Sequence, residues 1–503
     1  MEECASTAAA SGASSQDDPA PRLPTEICGR IIDHVAAGLN LHYTSLAGNP
    51  ALLALQSCAL VCRDWYFHTW YHLRQRVHLR DRNDVRSLSR TLHERPRLRG
   101  VVQQVVISGH TPRQRSLMQH LGTFAAMLAG KLPELSRISI EDAEWPVGLM
   151  RVEDFGYLAA FHFVHTLAIA NVTVSSIAQL ARLISALPAM RYLHCINVAC
   201  SQKHPVSTVS LPLNCAILEV LEVQWVAPAV EDLLVRISQA SRLHTLYFGV
   251  NGDFTSSSAG SRTQALLDAS AASVEVLVLW IASASSVDSH TVDSTVERHL
   301  NLSRHERLWR LEIRLFHPFV AWSWIPHIVS RIPSDHLMAF SVLFLSRADH
   351  AAADFDGAVT MMEEDGILVR LDDILQADRF ANIAPGGICL GLLVFENDWL
   401  PLVKLFDSES SFREHCGRWD ELVRRKMPGC DRRGIWTYVI HSVRCNGRDA
   451  LSPLLSIVYS IEEHDNWRRN MDKIHKATKN QKAKSGVEVQ REDDAAHAPD
   501  TSG

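Results

Sequence analysis

The feature that most constrains the fold is a short apolar pattern that recurs along the middle of the chain. Each occurrence places apolar side chains at relative positions 0, +3 and +5, and successive occurrences start 25 to 34 residues apart. Alternate side chains of a strand face the same side, so each occurrence predicts a short strand with one apolar face. The occurrences start at Val102, Leu135, Val164, Met190, Leu218, Leu243, Val274, Leu308 and Leu337.

Helix signals lie between these predicted strands. Ser175 or Ser176 can cap one helix, and Pro228 can open another. Asp84 can cap a further helix, and an apolar stripe from Leu117 to Leu128 predicts one more. A single strand–helix unit cannot bury its apolar face, whereas stacking many such units buries a continuous core.

The alternation of an LxxLxL strand with a helix resembles leucine-rich-repeat proteins, which implies a solenoid with a parallel sheet. The chain departs from their consensus because no regular asparagine follows each strand, so we expect irregular coils. An ordinary α/β domain has a similar alternation and remains an alternative. Strand order separates the two, since only the solenoid requires every strand to stack in chain order.

The N-terminal region before the repeats has its own apolar pattern. Ile27 and Ile31 follow Pro24 on one helical stripe, and the block from Cys58 to Trp65 begins another apolar helix. Short helices of this kind cannot form a good core alone. Either the rest of the chain or another protein has to cover their apolar surface.

These residues resemble the F-box, a helical module of substrate receptors in SCF-type cullin–RING ubiquitin ligases. The resemblance rests on LPxEIxxxII at Leu23–Ile32 and CALVCRDW at Cys58–Trp65, and it extends to about Leu79. It is greatest to the F-box-like proteins of fungi, although Ala36–Ala51 makes the gap between the two blocks longer than in the compact module. The resemblance implies that a Skp-type adaptor contacts Leu23, Pro24, Ile27, Ile31, Leu60, Val61 and Trp65.

We therefore predict an α/β protein, with an N-terminal helical F-box-like module followed by an irregular leucine-rich-repeat-like solenoid with a parallel sheet. The resemblance implies a substrate-recognition subunit, in which the repeats hold an unidentified target protein and other subunits carry the ubiquitin chemistry. The alternative is a protein-interaction scaffold without a ligase partner. The predicted divisions are a disordered 1–21, an F-box-like 22–80, a solenoid 81–346, C-terminal repeats or a cap 347–470 and a disordered tail 471–503.

Composition and motifs argue against several other classes of protein. A net charge of −6 on 503 residues argues against bulk nucleic-acid binding. The longest apolar run, Ile388–Phe395, is too short to cross a membrane. No GxSxG elbow, phosphate loop or dinucleotide fingerprint occurs, so we expect no catalytic site and no cofactor. The eleven cysteines indicate reduced thiols of a cytoplasmic or nuclear protein.

Histidine spacing suggests one metal-like pair, His68 and His72, which are four residues apart on a predicted helix. No glutamate follows His68 in the HExxH pattern, and Trp70 and Tyr71 beside the pair indicate packing. We therefore predict no metal site from the sequence.

The strand positions that alternate with the apolar ones predict a target-binding face. They carry Tyr247, Trp280, Arg310, Glu312 and Arg314, and aromatic and arginine side chains are enriched at binding hot spots. The alternative is that a C-terminal segment such as 396–470 folds over this face.

A separate criterion distinguishes a substrate receptor from a plain scaffold, namely whether Leu23, Pro24 and Ile27 are exposed or are buried against the repeats.

Overall fold

A parallel sheet runs through the whole of the repeat region in the computed structural model. The sheet has thirteen strands, and twelve of them pair side by side in chain order. The short β3 lies off this path and pairs with β4. The strands are β1 Arg76–Leu79, β2 Gln104–Ser108, β3 Ser116–Leu117, β4 Arg137–Trp145, β5 Thr166–Val174, β6 Tyr192–Cys200, β7 Val220–Gln224, β8 Thr245–Val250, β9 Val276–Ile281, β10 Arg310–Leu315, β11 Ala339–Arg347, β12 Ile388–Glu396 and β13 Trp436–Arg444.

Helices precede the sheet and connect most of its strands. They are α1 Thr25–Ala37, α2 Pro50–Cys58, α3 Arg63–Gln75, α4 Arg82–Glu94, α5 Leu121–Leu128, α6 Val152–Leu158, α7 Ile177–Ser185, α8 Pro228–Ala240, α9 Ser257–Ser270, α10 Trp324–Ser330, α11 Ala351–Glu364, α12 Ile367–Leu375, α13 Glu409–Lys426 and α14 Pro428–Arg432. The structure describes residues 24–37, 50–109, 115–146, 148, 150–201, 211–250, 257–281, 298–315, 324–347, 351–364, 366–396 and 409–444.

The strand order confirms the predicted solenoid and excludes the ordinary α/β alternative. All nine predicted strands are present, and each pairs in parallel with its neighbours in chain order. At about 4.8 Å per strand, the sheet is about 50 Å long. The apolar positions +3 and +5, such as Leu221 and Val223 of β7, are buried in one continuous core between the sheet and the helices.

Strands at both ends of the sheet lie outside the predicted solenoid 81–346. Strand β1 lies inside the region 22–80 assigned to the F-box-like module, yet it pairs with β2 as the first strand of the sheet. Strands β12 and β13 extend the same sheet beyond residue 346. The predicted disordered segments, 1–21 and 471–503, lie outside the described residues.

The local signals located most helices correctly. Ser176 caps α7 by accepting a hydrogen bond from the Gln179 amide, and Pro228 opens α8. One cap was assigned to the wrong residue, because Asp81 rather than Asp84 accepts the amide hydrogen bonds at the start of α4. None of the helices in the described ranges is long and apolar enough to cross a membrane.

The first repeats carry a polar ladder that the sequence analysis missed. Asp142, Asn171, Asn197 and Trp225 occupy equivalent places after +5 and all have left-handed backbone, with φ of 50° to 54°. Asn171 donates to Asp142 Oδ1 at 2.8 Å, and Asn197 donates to Asn171 Oδ1 at 3.0 Å. Arg115 donates to Asn171, Asn197 and Thr173 across both strands. Two of the four positions, Asn171 and Asn197, are asparagines, and both stand at relative position +7 of their repeats.

Substitution of Asn171 tests this ladder. The variant Asn171→Ala loses three side-chain hydrogen bonds. Alanine is also disfavoured in left-handed backbone, because it has a Cβ and no polar side chain that could hydrogen-bond locally. We expect the variant to lower the free energy of unfolding by about 2 to 3 kcal/mol. Asn171→Gly loses the same hydrogen bonds but tolerates the φ, so its loss should be about 1 kcal/mol smaller. Denaturant unfolding of the two variants checks this, and equal losses would contradict the backbone part of the account.

Candidate functional site

The N-terminal helices form a small three-helix unit of their own. Helices α1, α2 and α3 pack on one another around Ile32, Ala36 and Leu55, which are buried. Trp65 and Leu73 of α3 pack against this core and are partly buried. Three buried residues make a very small core, so much of the apolar surface of these helices is left uncovered.

The predicted adaptor-binding residues are largely exposed on this unit. Leu60 is 88% exposed and Val61 is 63% exposed, in the turn between α2 and α3. On α1, Ile27 is 41% and Ile31 39% exposed. The remaining members of the predicted set are Pro24, which is exposed, Trp65, which is half-buried, and Leu23, which lies outside the described residues.

The same unit is joined directly to the solenoid. Helix α3 ends at Gln75 and β1 begins at Arg76, so no linker separates the module from the sheet. Trp70 of α3 packs against the main core. The unit therefore packs against the first edge of the repeats through α3, while Ile27, Ile31, Leu60 and Val61 of its described residues are exposed.

The second predicted site lies on the inner face, which we define as the sheet face turned away from the helices. Strand alternation places Tyr247, Trp280 and Glu312 there, as predicted, together with Arg310 and Arg314. Arg314 lies over the Trp280 ring, with its guanidinium carbon 4.3 Å from the ring centroid. Glu312 accepts from Arg310 at 2.7 Å and from Arg314 Nε at 2.6 Å.

These five side chains do not form an open surface in the structure. Tyr247, Trp280, Glu312 and Arg314 are buried, and Arg310 is half-buried. The two arginines share the Glu312 carboxylate, and the Trp280 indole packs under the Arg314 guanidinium. A target cannot contact the four buried side chains in this conformation. In the described part of the alternative cover, 409–444, helices α13 and α14 pack on the helical side of the sheet and β13 is a strand of the sheet itself.

The inner face carries further buried polar groups besides this cluster. His194 Nδ1 lies 2.6 Å from Glu222 Oε2, and Gln224 donates to the other Glu222 oxygen at 2.6 Å. Burial raises the pKa of Glu141 to about 8, against the opposing effect of the Arg76 charge. The sequence indicates that these side chains share one strand face, since His194, Glu222 and Glu312 all occupy relative position +4 of their repeats.

A third cluster joins α1 to α3 in the N-terminal unit. Asp33 Oδ1 lies 2.9 Å from His72 Nε2 and 3.1 Å from His68 Nε2. Hydrogen bonding to His72 outweighs desolvation and helps to hold the pKa of Asp33 below its usual value. The sequence showed the histidine pair, but only the packing of the two helices shows that Asp33 faces it.

Comparison with known proteins adds little to these observations. No protein-family model matches the chain, and no curated protein matches it. Among solved structures, the chain is similar to an internalin from Listeria monocytogenes, with 11% identity over 65% of this chain and 92% of the internalin. The TM-score of that match is 0.25, which supports no argument, so the assignment as a solenoid rests on the strand order itself.

Proposed function

We propose that this protein is the substrate-recognition subunit of an SCF-type ubiquitin ligase, which binds a Skp-type adaptor through its N-terminal three-helix unit. The observation that carries the proposal is the exposure of Leu60, Val61, Ile27 and Ile31 at positions where the F-box resemblance implies adaptor contacts. The criterion for a receptor is the exposure of Leu23, Pro24 and Ile27. Pro24 and Ile27 are exposed, and Leu23 lies outside the described residues.

The exposed residues at the turn contribute little to folding of the chain itself. A leucine that is 88% exposed buries almost no apolar area, so Leu60 gains almost none of the stabilisation that burial provides. Apolar anchors in protein interfaces, in contrast, often contribute about 2 kcal/mol or more when a partner buries them. The turn before α3 therefore suits a residue pair that acts in binding.

The repeats supply the second half of the proposal. A sheet about 50 Å long, flanked by helices, offers an extended surface for one protein target. The buried inner-face residues do not form this target surface in the described conformation. In this proposal the chain carries no catalytic group of its own, and the ubiquitin transfer takes place on other subunits.

One observation favours a second candidate function, a scaffold without a ligase partner. Helix α3 runs straight into β1, and Trp70 packs on the main core, as expected for a unit that only caps the solenoid. A cap explains this side of α3, but it does not explain the solvent-facing leucine and valine at the turn. Adaptor capture distinguishes the two functions.

The test is affinity capture of the full-length chain from cells, with the adaptor and cullin quantified by mass spectrometry. The double variant Leu60→Asp/Val61→Asp places two charges on the turn, where they meet only solvent in the free chain. We expect it to reduce adaptor recovery by about tenfold or more, since an unpaired charge in an interface opposes binding.

The matched control is Leu213→Asp/Val152→Asp, which changes a leucine and a valine that are 93% and 73% exposed on the solenoid. We expect this variant to recover the adaptor as the wild type does. If the wild-type chain recovers neither adaptor nor cullin, the ligase proposal fails. Equal loss in both double variants would contradict docking at the turn.

A further inference from the structure

We infer that Asp33, His68 and His72 form a site for a divalent transition-metal ion, with zinc as the expected occupant. The three side chains come from two helices, and one ligand atom from each lies within 4.8 Å of the others. Two imidazole nitrogens and one carboxylate oxygen form a donor set that suits zinc, and they leave at least one coordination position open. This site does not depend on adaptor binding.

The distances are already close to those a metal requires. Tetrahedral zinc with bonds of about 2.0 to 2.1 Å places two donor atoms about 3.3 Å apart. Asp33 Oδ1 lies 2.9 Å from His72 Nε2 and 3.1 Å from His68 Nε2. Each of these two pairs needs to separate by only about 0.2 to 0.4 Å to admit the ion, and the two histidine nitrogens lie within 4.8 Å of each other.

The orientation of the histidines also fits a metal site. His68 and His72 are four residues apart on α3, which places both rings on one helix face. Both histidines place their Nε2 atom within hydrogen-bonding distance of Asp33 Oδ1. Two neutral imidazoles and one carboxylate carry a total charge of −1. With a bound divalent ion the site would have an overall charge of +1, so the ligands neutralise half of the charge of the ion.

Gly29 leaves room beside His68. It precedes Asp33 by one turn of α1, and a Cβ built at Gly29 would lie 3.6 Å from His68 Nε2. A longer side chain at that position would occupy the space next to the metal-binding nitrogen. Its absence keeps an approach open for a water molecule or another ligand of the ion.

A bound ion would link α1 to α3 in a unit whose described residues include a buried apolar core of three side chains. Small units often gain much of their stability from a metal, because binding free energy adds to folding free energy. We therefore expect zinc to stabilise the N-terminal unit in particular, and to hold α1 in a fixed position relative to α3.

The test uses the purified full-length chain, stripped with chelator and dialysed, and titrated with Zn²⁺ by isothermal calorimetry. Other histidines and cysteines of the chain can also bind zinc, so the comparison between variants decides the outcome. Loss of a residue that merely orients a metal ligand costs about 10- to 100-fold in affinity. We expect His72→Gln to weaken the zinc affinity of the tightest binding step by about 100-fold or more.

His93→Gln is the matched control, because His93 is an exposed histidine of another helix and lies outside the cluster. It should bind zinc as the wild type does, and Mg²⁺ should bind neither protein at this site. Asp33→Asn provides a second variant at an exposed position, which removes the carboxylate without disturbing the small core. It should also weaken the tightest step.

Thermal unfolding gives an independent measurement. Zinc should raise the midpoint of the wild type and of His93→Gln, and it should not raise that of His72→Gln or Asp33→Asn. Circular dichroism of the metal-free variants establishes that they remain helical. If the four proteins bind zinc with the same affinity, or if none binds it, the three side chains form only a hydrogen-bonded cluster and the inferred site is wrong.

Discussion

Replacement of Glu312 by glutamine is expected to lower the free energy of unfolding by about 3 to 5 kcal/mol. Glu312 is buried and shares its carboxylate between Arg310 and Arg314. Glutamine keeps the shape of the side chain but removes its charge. The two arginine charges would then lack their common counter-ion, and removal of one partner from a buried ion pair is strongly destabilising.

The matched control is Glu219→Gln, which removes the glutamate of an exposed pair, where Arg191 lies 3.2 Å from Glu219. An exposed pair contributes about 1 kcal/mol at most, because solvent screens it. Urea unfolding followed by tryptophan fluorescence checks both variants. Similar small losses for Glu312→Gln and Glu219→Gln would contradict a structural role for the buried cluster.

The same carboxylate should contribute to the pH dependence of stability. Burial alone would raise the pKa of Glu312, but the Arg314 and Arg310 charges outweigh it and hold the pKa below its usual value. A lowered pKa in the folded state means that the stabilisation is present above the unfolded-state pKa and is lost as pH falls through the folded-state pKa. Glu312→Gln should therefore weaken the loss of stability in acid.

Replacement of Asp372 by alanine is the second change with a large expected effect. The Asp372 side chain on α12 accepts hydrogen bonds from the Gly429 and Cys430 amides at 2.9 and 2.8 Å. These amides open α14, so the carboxylate joins two helices of the last repeats. Hydrogen bonds to charged groups contribute about 1.5 to 3 kcal/mol each, so we expect a loss of about 3 to 5 kcal/mol.

Asp373→Ala is the control for this change, because the adjacent aspartate is exposed. Its substitution should change the free energy of unfolding by about 0.5 kcal/mol or less. Chemical unfolding of the two variants under the same conditions checks the difference. Gly429 supports the account, since a Cβ there would lie 3.0 Å from Asp372 Oδ1 and 2.3 Å from Gln376 Nε2. An unchanged stability in Asp372→Ala would contradict it.

The repeat architecture could be predicted from the sequence because every repeat carries the same apolar positions. Leu221 and Val223 show this, since the spacing alone assigned them to the buried face. The strand β1 could not be predicted in the same way, because Val77 and Leu79 lack the preceding apolar position of the pattern. The asparagine ladder was missed because Asn171 and Asn197 stand at +7 rather than at the consensus position.

The candidate sites could be predicted less completely than the repeats, because they depend on how separate elements pack together. Alternation predicted the strand face that carries Trp280 and Arg314, but it contains no information on whether that face is covered. Likewise, the spacing of His68 and His72 showed a pair on one helix. The third member, Asp33, is 35 residues before His68, and only the packing of α1 on α3 places it there.

The most direct test of the central proposal is the affinity of the purified full-length chain for a purified Skp-type adaptor, measured by calorimetry. We expect the wild type and Leu213→Asp/Val152→Asp to bind with equal affinity. Leu60→Asp/Val61→Asp should bind about 100-fold more weakly or worse, which corresponds to about 2.7 kcal/mol. Absence of binding by the wild type, or equal affinity for all three proteins, would contradict the proposal that the N-terminal unit docks an adaptor.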